Sequence, residues 1–346
     1  MLKQEASYEQ LMARVQELEE RIELLSMEKS DLELLLETTT EHATEIENEL
    51  QEKNEQVERF FLALQKELQT GRKIQADFLP QELPVVAGWE LAASFAPARE
   101  VAGDFYDAFL LPDNQVGLVI ADVCDKGVGA ALFMSLTRSL IRVLAYQARE
   151  RLQHLSSKGA AYMVELPPIK GQVQMLLPAH IFEVLNAVPF TNDYIATNHG
   201  QTSMFATLFF GVLDAQKNTL YYINGGHDAP IHVGKDGIKG RLPLTGPAVG
   251  MLAGARYKMQ QIQFEPGDVL LTYTDGVPEA RGPHGEFFTE KRLLELVEQC
   301  RVESPLSASG LLDRVAREVT EHVAGAEPSD DITMLAAHLL PPEPAA

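Results

Sequence analysis

Two cysteines in 346 residues, Cys124 and Cys300, cannot build a disulfide framework, and their wide separation matches no zinc-ligand spacing. Basic residues are also scarce: 29 Lys and Arg stand against 50 Asp and Glu, for a formal net charge of −21. That imbalance argues against nucleic acid or an anionic membrane as the main partner. No apolar segment of a signal peptide opens the chain, and no stretch approaches the roughly 20 apolar residues that span a bilayer. The expectation is a reduced, cytoplasmic setting. The nine histidines form no H-x-H or H-E-x-x-H pattern. There is no G-x-S-x-G, and Cys124 has no evident His partner, so nucleophilic hydrolysis lacks its signature. Neither glycine nor proline occurs before Gly71, which leaves a long opening stretch free of helix breakers.

That stretch carries a strict pattern. Apolar residues step by four and three through Leu11, Val15, Leu18, Ile22, Leu25, Leu32, Leu36, Ala43, Ile46, Leu50, Val57, Phe60 and Leu64. Lys29, Thr39 and Lys53 are the polar interruptions, and Glu, Gln, Lys and Arg fill most of the remaining positions. A period of 3.5 residues sustained this long predicts a coiled coil, roughly 80 Å in length, and a parallel homodimer. One amphipathic helix lying on its own domain is the plain alternative, but so narrow a stripe covers little core. Residues 1–70 hold 18 acids and 7 bases, so −11 of the charge sits on this rod and −10 on all that follows. Gly71 is expected to break the helix, with GRKIQADFLP restarting a short one that ends near Pro80. The expected organisation is a coiled coil over 1–70, a helical linker over 71–84, a catalytic body over 85–341 and a disordered tail over 342–346.

After Pro84 the texture changes to short apolar runs divided by turns. Strands are expected at Trp89–Ala96, Ala108–Leu111, Val116–Asp122, Met204–Leu213, Thr219–Asn224, Ile231–Val233, Met259–Phe264, Val269–Tyr273 and Ile332–His338. Helices are expected at Gly129–Arg149, Ala179–Ala187, Thr289–Cys300 and Pro305–Ala324. The hairpin spacing between Met204 and Val233 indicates antiparallel sheet under helices, an α+β fold.

Several of these runs meet carboxylates. VGLVIAD ends on Asp122, DVLLTYTD ends on Asp275, Asp330-Asp331 opens DDITMLAAHLL, and Gly103-Asp104 lies upstream of all three. Each alone is an ordinary turn signal: Asp after Gly, Asp-Gly and Asp-Asp are common at strand ends. Together, with no Arg or Lys evident beside them, they suggest a cation as partner, because a buried carboxylate without one is costly. Hard oxygen donors with no His or Cys among them select Mg²⁺ or Mn²⁺ over zinc. The loop Val123-Cys124-Asp125-Lys126-Gly127 after Asp122 opens a helix but is no nucleotide fingerprint, since Leu132 stands where a third glycine would be.

In order along the chain come GRKIQADFLP, PAREVAGDFYD, GLVIADVCDKGVGAALFM, MFATLFFGVLD, YINGGHDAP, DVLLTYTDGVPEA and PSDDITML. This series resembles the SpoIIE/RsbU-type branch of the metal-dependent serine/threonine protein phosphatases, bacterial relatives of the type 2C enzymes, from about Gly71 to Leu340. The resemblance implies a four-layer αββα sandwich of two antiparallel sheets, and two Mn²⁺ or Mg²⁺ ions in a cleft at one end. Carried over by motif, the ligands are Asp104, Asp122 as bridge, the Val123 carbonyl, Asp275 and Asp330, with Asp331 the less expected member of its pair. The implied reaction is hydrolysis of phosphoserine or phosphothreonine by metal-activated water, with no covalent phosphoenzyme. The resemblance implies that Asp122 and Asp104 carry the catalysis.

Two features of eukaryotic relatives are missing. Cys124 stands where they have His, and no counterpart of their phosphate-binding Arg is evident. His227 is a proton donor or a structural residue. Ala102 replaces a frequent Gly, and residues 151–178 are longer than usual, as a loop shaping substrate access or as surface variation. The resemblance also implies a phosphorylated partner of the anti-sigma-factor antagonist type. With no room for a sensor domain, the rod is expected to dimerise the bodies and to relay a signal from a separate sensor protein. The alternative is a degenerate phosphatase serving as a dimeric phosphoprotein scaffold.

Overall fold

The computed structural model describes residues 2–111, 114–156, 163–165, 176–303 and 306–342. The chain divides into two compact units, Met1–Glu67 and Leu68–Ala346. The first unit is helical throughout, as part of a single helix α1 (Leu2–Phe78). The apolar stripe read from the sequence lies open on it: Leu18 is 47% exposed, Leu25 55% and Phe60 82%.

The break expected at Gly71 does not occur; α1 runs through it to Phe78. An interior glycine costs a helix about 1 kcal/mol, and packing in the second unit offsets it. Gln75 is buried and clamps Ala102 from both sides, its Nε2 donating to the Ala102 carbonyl at 2.7 Å and its Oε1 accepting the Ala102 amide at 3.0 Å. The last turns of α1 therefore belong to the body rather than to a separate linker.

The second unit holds two five-stranded antiparallel sheets. One has the order β1 (Trp89–Ala96), β12 (Ile332–Leu339), β11 (Val269–Tyr273), β8 (Ile231–Gly234) and β9 (Gly237–Arg241). The other runs β10 (Gln260–Gln263), β7 (Thr219–Gly225), β6 (Ala206–Asp214), β3 (Gln115–Val123) and β2 (Phe105–Leu110). A small hairpin pairs β4 (Met163–Glu165) with β5 (Leu176–Pro178). It lies within the long connection noted in the sequence, most of which falls outside the described residues, as does the tail beyond Pro342.

The inner strands of each sheet are apolar on both faces, because they are covered on both sides. Leu118, Ile120, Phe209 and Tyr222 meet Leu270, Leu335 and Ala337 between the sheets. On the outer face of the second sheet, Val119, Ala121, Phe210 and Val212 pack under α2 (Val128–Ser156), α3 (Ala179–Leu185) and α4 (Ala187–Asn198). On the outer face of the first, Leu271, Tyr273 and Ala336 pack under α5 (Glu290–Glu303) and α6 (Ala308–Val323). The result is the four-layer αββα sandwich, reached by period-two alternation with two buried faces.

The strands β4, β5 and β9 and the helix α4 lie outside the sequence-based expectation. One expectation about membranes is also revised: Val128–Ala148 within α2 is long and apolar enough to cross a bilayer by length and composition. In the fold its apolar side serves the core, and it carries Arg138, buried, with Nη2 3.1 Å from Asp107 of β2. Arg142 reaches the same carboxylate at 3.5 Å. This ion pair ties α2 to the strand that begins beside Asp104.

Candidate metal centre

Strand periodicity delivers the carboxylates to one end of the inter-sheet layer. Along β3, Leu118 and Ile120 face the opposite sheet, and Asp122 is the next residue of that parity. Along β12, read backwards, the same side passes from Ala337 and Leu335 to Thr333 and then Asp331. In β11 it passes from Leu270 to Thr272, with Thr274 and Asp275 following the strand. Ala108 in β2 shares the parity of Asp104 just before that strand. Where the apolar filling stops, each strand switches to Asp or Thr.

Asp104, 2% exposed, accepts hydrogen bonds at Oδ2 from the Thr274 hydroxyl at 2.7 Å and the Thr333 hydroxyl at 2.8 Å. Burial and the charge of Asp122 push its pKa well above the ordinary carboxylate value, against those two donors. Burial, then the charges of Asp275 and Asp330, push Asp122 up to about 7, while a hydrogen bond with Asp104 opposes the rise. Asp275 is pushed up to about 6 by burial and then by Asp330 and Glu279. The four carboxylates named from the sequence therefore act on one another across the two sheets.

The Asp330-Asp331 pair divides. Asp331 is buried, and both its oxygens are taken by backbone: Oδ1 accepts the Ala98 amide at 2.7 Å and Oδ2 the Gly103 amide at 2.9 Å. Asp330 faces the loop after β3, where Lys126 Nζ donates to its Oδ2 at 2.7 Å and to the Ser329 carbonyl at 2.6 Å. This corrects the sequence-based expectation that no basic residue stands beside the carboxylates.

Two glycines make the convergence possible. A β-carbon on Gly103 would lie 3.0 Å from the Val123 carbonyl oxygen, which places that carbonyl beside Asp104. A β-carbon on Gly276 would lie 1.9 Å from the Asp331 carbonyl oxygen, so no other residue fits without moving backbone.

The donor set suits a hard divalent cation. It is oxygen only, it is partly or wholly buried, and its mutual repulsion is relieved by one ammonium group. Among the described residues, no group of three His, Cys, Asp or Glu side chains is gathered around one point as a ready cage. Lys126 and the Asp104–Asp122 hydrogen bond offset part of the mutual repulsion of the carboxylates.

His227 sits behind the cluster. It is 1% exposed, its Nδ1 lies 2.9 Å from the Thr207 hydroxyl, and Thr207 pairs with Asp122 in the β3–β6 ladder. Burial holds its pKa down at about 4, with a backbone interaction at Tyr273 opposing in part, which favours the neutral ring. Cys124 is engaged too, its Sγ accepting the Phe205 amide at 3.1 Å. The sequence reading missed Lys126, Thr274 and Thr333. Their signal was present in the quoted motifs, as the Lys of DVCDKG, the Thr before Asp275 and the Thr of DDIT.

Known proteins share this arrangement of elements. The chain is 44% identical over 272 residues to Protein IcfG of Synechocystis sp., which covers 79% of this chain and 41% of IcfG. It is 25% identical over 237 residues to the phosphoserine phosphatase RsbU of Bacillus subtilis, covering 68% of this chain and 60% of RsbU. The chain thus spans about half the length of these curated relatives. In three dimensions it superposes on the SiaA-PP2C domain of Pseudomonas aeruginosa with a TM-score of 0.58 at 18% identity, over 79% of this chain and 96% of that one. That likeness establishes the fold. Residues 112–340, well over half the chain, match the family described as Stage II sporulation protein E, and the chain belongs to this SpoIIE family.

Proposed function

We propose that the protein is a metal-dependent protein serine/threonine phosphatase. The observation that carries the reading is the meeting of Asp104, Asp122, Asp275 and Asp330 at one end of the inter-sheet layer, from strands remote in sequence. Asp104, Asp122, the Val123 carbonyl, Asp275 and Asp330 would hold two ions, Mn²⁺ or Mg²⁺. Such ions, when bound, supply an activated water and a clamp for phosphate oxygens. The chain's own part is orientation. Thr274 and Thr333 fix the Asp104 carboxylate, the backbone around Ala98 and Gly103 fixes Asp331, and Gly276 lets the β11 turn close on it.

The substrate would be phosphoserine or phosphothreonine on a regulatory protein of the anti-sigma-factor antagonist type. Support comes from the relatives, one of which is named a phosphoserine phosphatase. The reading includes a cytoplasmic homodimer formed through α1, answering to a separate sensor protein. A degenerate scaffold would not need its carboxylates, and all four are in place.

The test is hydrolysis of p-nitrophenyl phosphate with and without Mn²⁺, by wild type, Asp122→Asn and Asp275→Asn. Metal-dependent turnover that falls at least about a hundredfold in both variants is expected. A folded wild type that is inactive with either metal returns the assignment to a phosphoprotein-binding scaffold.

A further inference from the structure

We propose that Lys126 is the residue that receives the substrate phosphate. The inference rests on the phosphatase reading above and adds the cation that sequence comparison with eukaryotic relatives left without a counterpart.

Lys126 leaves β3 four residues after Asp122 and lies two residues before α2 begins at Val128. The turn is held by its neighbour, since Asp125 adopts a left-handed φ of 75° and accepts the Lys126 amide at Oδ1, 2.8 Å away. The ammonium group is thereby carried across to Asp330, 204 residues along the chain. Its charge also acts on Asp275, lowering the pKa of that carboxylate. Of the other cations near the cluster, Arg138 and Arg142 neutralise Asp107, Arg241 is bound to Glu290, the Tyr273 hydroxyl and the Ala229 carbonyl, and Arg99 is exposed on the segment that leads to Asp104. Lys126 is solvent-accessible, with 36% of its side chain exposed, so its ammonium group can meet an incoming ligand.

Charge balance shows what this ammonium is for. Asp104, Asp122, Asp275, Asp330 and Asp331 contribute five negative charges when ionised, and two divalent ions four positive ones. Glu279 and Asp228 also act on Asp275, so the site stays net negative and repels a phosphate monoester dianion. Lys126 reduces that excess. When Asp330 is engaged by a cation, the ammonium loses its carboxylate and becomes available at the start of α2, where the helix dipole also favours an anion. Lysine on a short loop can make that change of partner by rotating its side chain, whereas a guanidinium locked to a carboxylate in two bonds cannot do so as easily. Lys126 thus pairs with Asp330 and, with cations bound there, would serve as phosphate ligand.

The experiment uses the full chain as wild type, Lys126→Ala and Lys126→Arg. Calorimetry measures Mn²⁺ binding, and then inorganic phosphate binding to the Mn²⁺-loaded protein. Steady-state kinetics follow with a phosphoserine peptide. For Lys126→Ala we expect phosphate affinity to fall about tenfold or more and KM to rise in parallel, with Mn²⁺ affinity unchanged or tighter and with only partial recovery in Lys126→Arg. Unchanged phosphate affinity in Lys126→Ala overturns the proposal and leaves Lys126 a counter-ion to Asp330. Lost Mn²⁺ binding in that variant overturns it as well, making Lys126 a prop for the carboxylate. A wild type that hydrolyses no phosphomonoester with Mn²⁺ brings down the phosphatase reading itself; an active wild type with an indifferent Lys126→Ala brings down this inference alone.

Discussion

Asp330 and Asp331 are neighbours in sequence with opposite surroundings, and substitution should separate them. Asp331 satisfies the amides of Ala98 and Gly103, which connect β1 to the segment carrying Asp104. Asp331→Ala leaves those donors without partners, at about 1–3 kcal/mol for each buried one. It should lower the melting temperature of the metal-free protein by several degrees. Asp330→Ala removes one of several repelling carboxylates and gives up only the amide of its neighbour Asp331, 2.9 Å from Oδ1, and the solvent-accessible Lys126 pair, so its metal-free melting temperature should change little. The same variant should lose the thermal stabilisation that Mn²⁺ gives the wild type. Equal destabilisation by both, in scanning calorimetry without metal, would contradict the division of labour seen here.

Elements are joined in the same economical way, through single acids placed at helix starts. Glu90 of β1 accepts the Ala308 amide at 3.0 Å and both the amide and hydroxyl of Ser309, at 3.0 and 2.7 Å, capping α6 alongside Ser307. Burial works against its ionisation, but the Ser309 and Ala308 donors and His338 outweigh it and hold the carboxyl down at about 2, from an ordinary 4.5. Because the folded value lies below the unfolded one, the cap stabilises fully above about pH 4.5 and is lost as pH falls from there towards 2. Glu90→Gln should therefore cost about 1 kcal/mol at neutral pH, after allowance for solvent screening, and progressively less through that acid window. Urea denaturation of both proteins at a series of pH values measures this. A deficit that stays constant down to pH 2 would show that the charge plays no part.

The elements also show where sequence is informative. β3, β6 and β11 were legible because both their faces are buried, which writes a near-continuous apolar run. β9 was not, since GIKGR is short, carries two glycines and has no buried position. α4 was missed because Pro189 reads as a stop, although in the first turn of a helix proline costs little. Gly71 was read as a break because local propensity says so; tertiary packing around Gln75 overrides it. At the site the acids were legible from their strand-end positions; Lys126 stood in a quoted motif, but its pairing with Asp330 was not legible, because that partner lies 204 residues away.

At the scale of the whole molecule, the uncovered stripe of α1 sets the remaining question of assembly. Leu11, Val15, Leu18, Ile22, Leu25, Leu32, Leu36, Ile46, Leu50, Val57, Phe60 and Leu64 are all exposed in the single chain. Burying even half of such side chains at about 1.5 kcal/mol each approaches or exceeds the roughly 4–15 kcal/mol cost of bringing two chains together. Opposing this are the polar core positions Lys29, Thr39 and Lys53, and the −11 carried by each copy of residues 1–70. Repulsion of that kind is screened by salt, whereas the apolar seam is not. The protein should therefore be a dimer by light scattering at micromolar concentration, and its dissociation constant should fall as ionic strength rises from about 0.02 M to 0.5 M. Replacing Leu18 and Leu25 together by Lys should give a monomer with reduced helicity, because it sets four charges in one seam. The calorimetric transition of the body, residues 68–346, should stay where it is, since the two compact units each hold their own internal contacts. A monomer at every salt concentration would mean that the stripe serves a different chain, and mixed-label pull-down of two tagged copies would then recover none of its own kind.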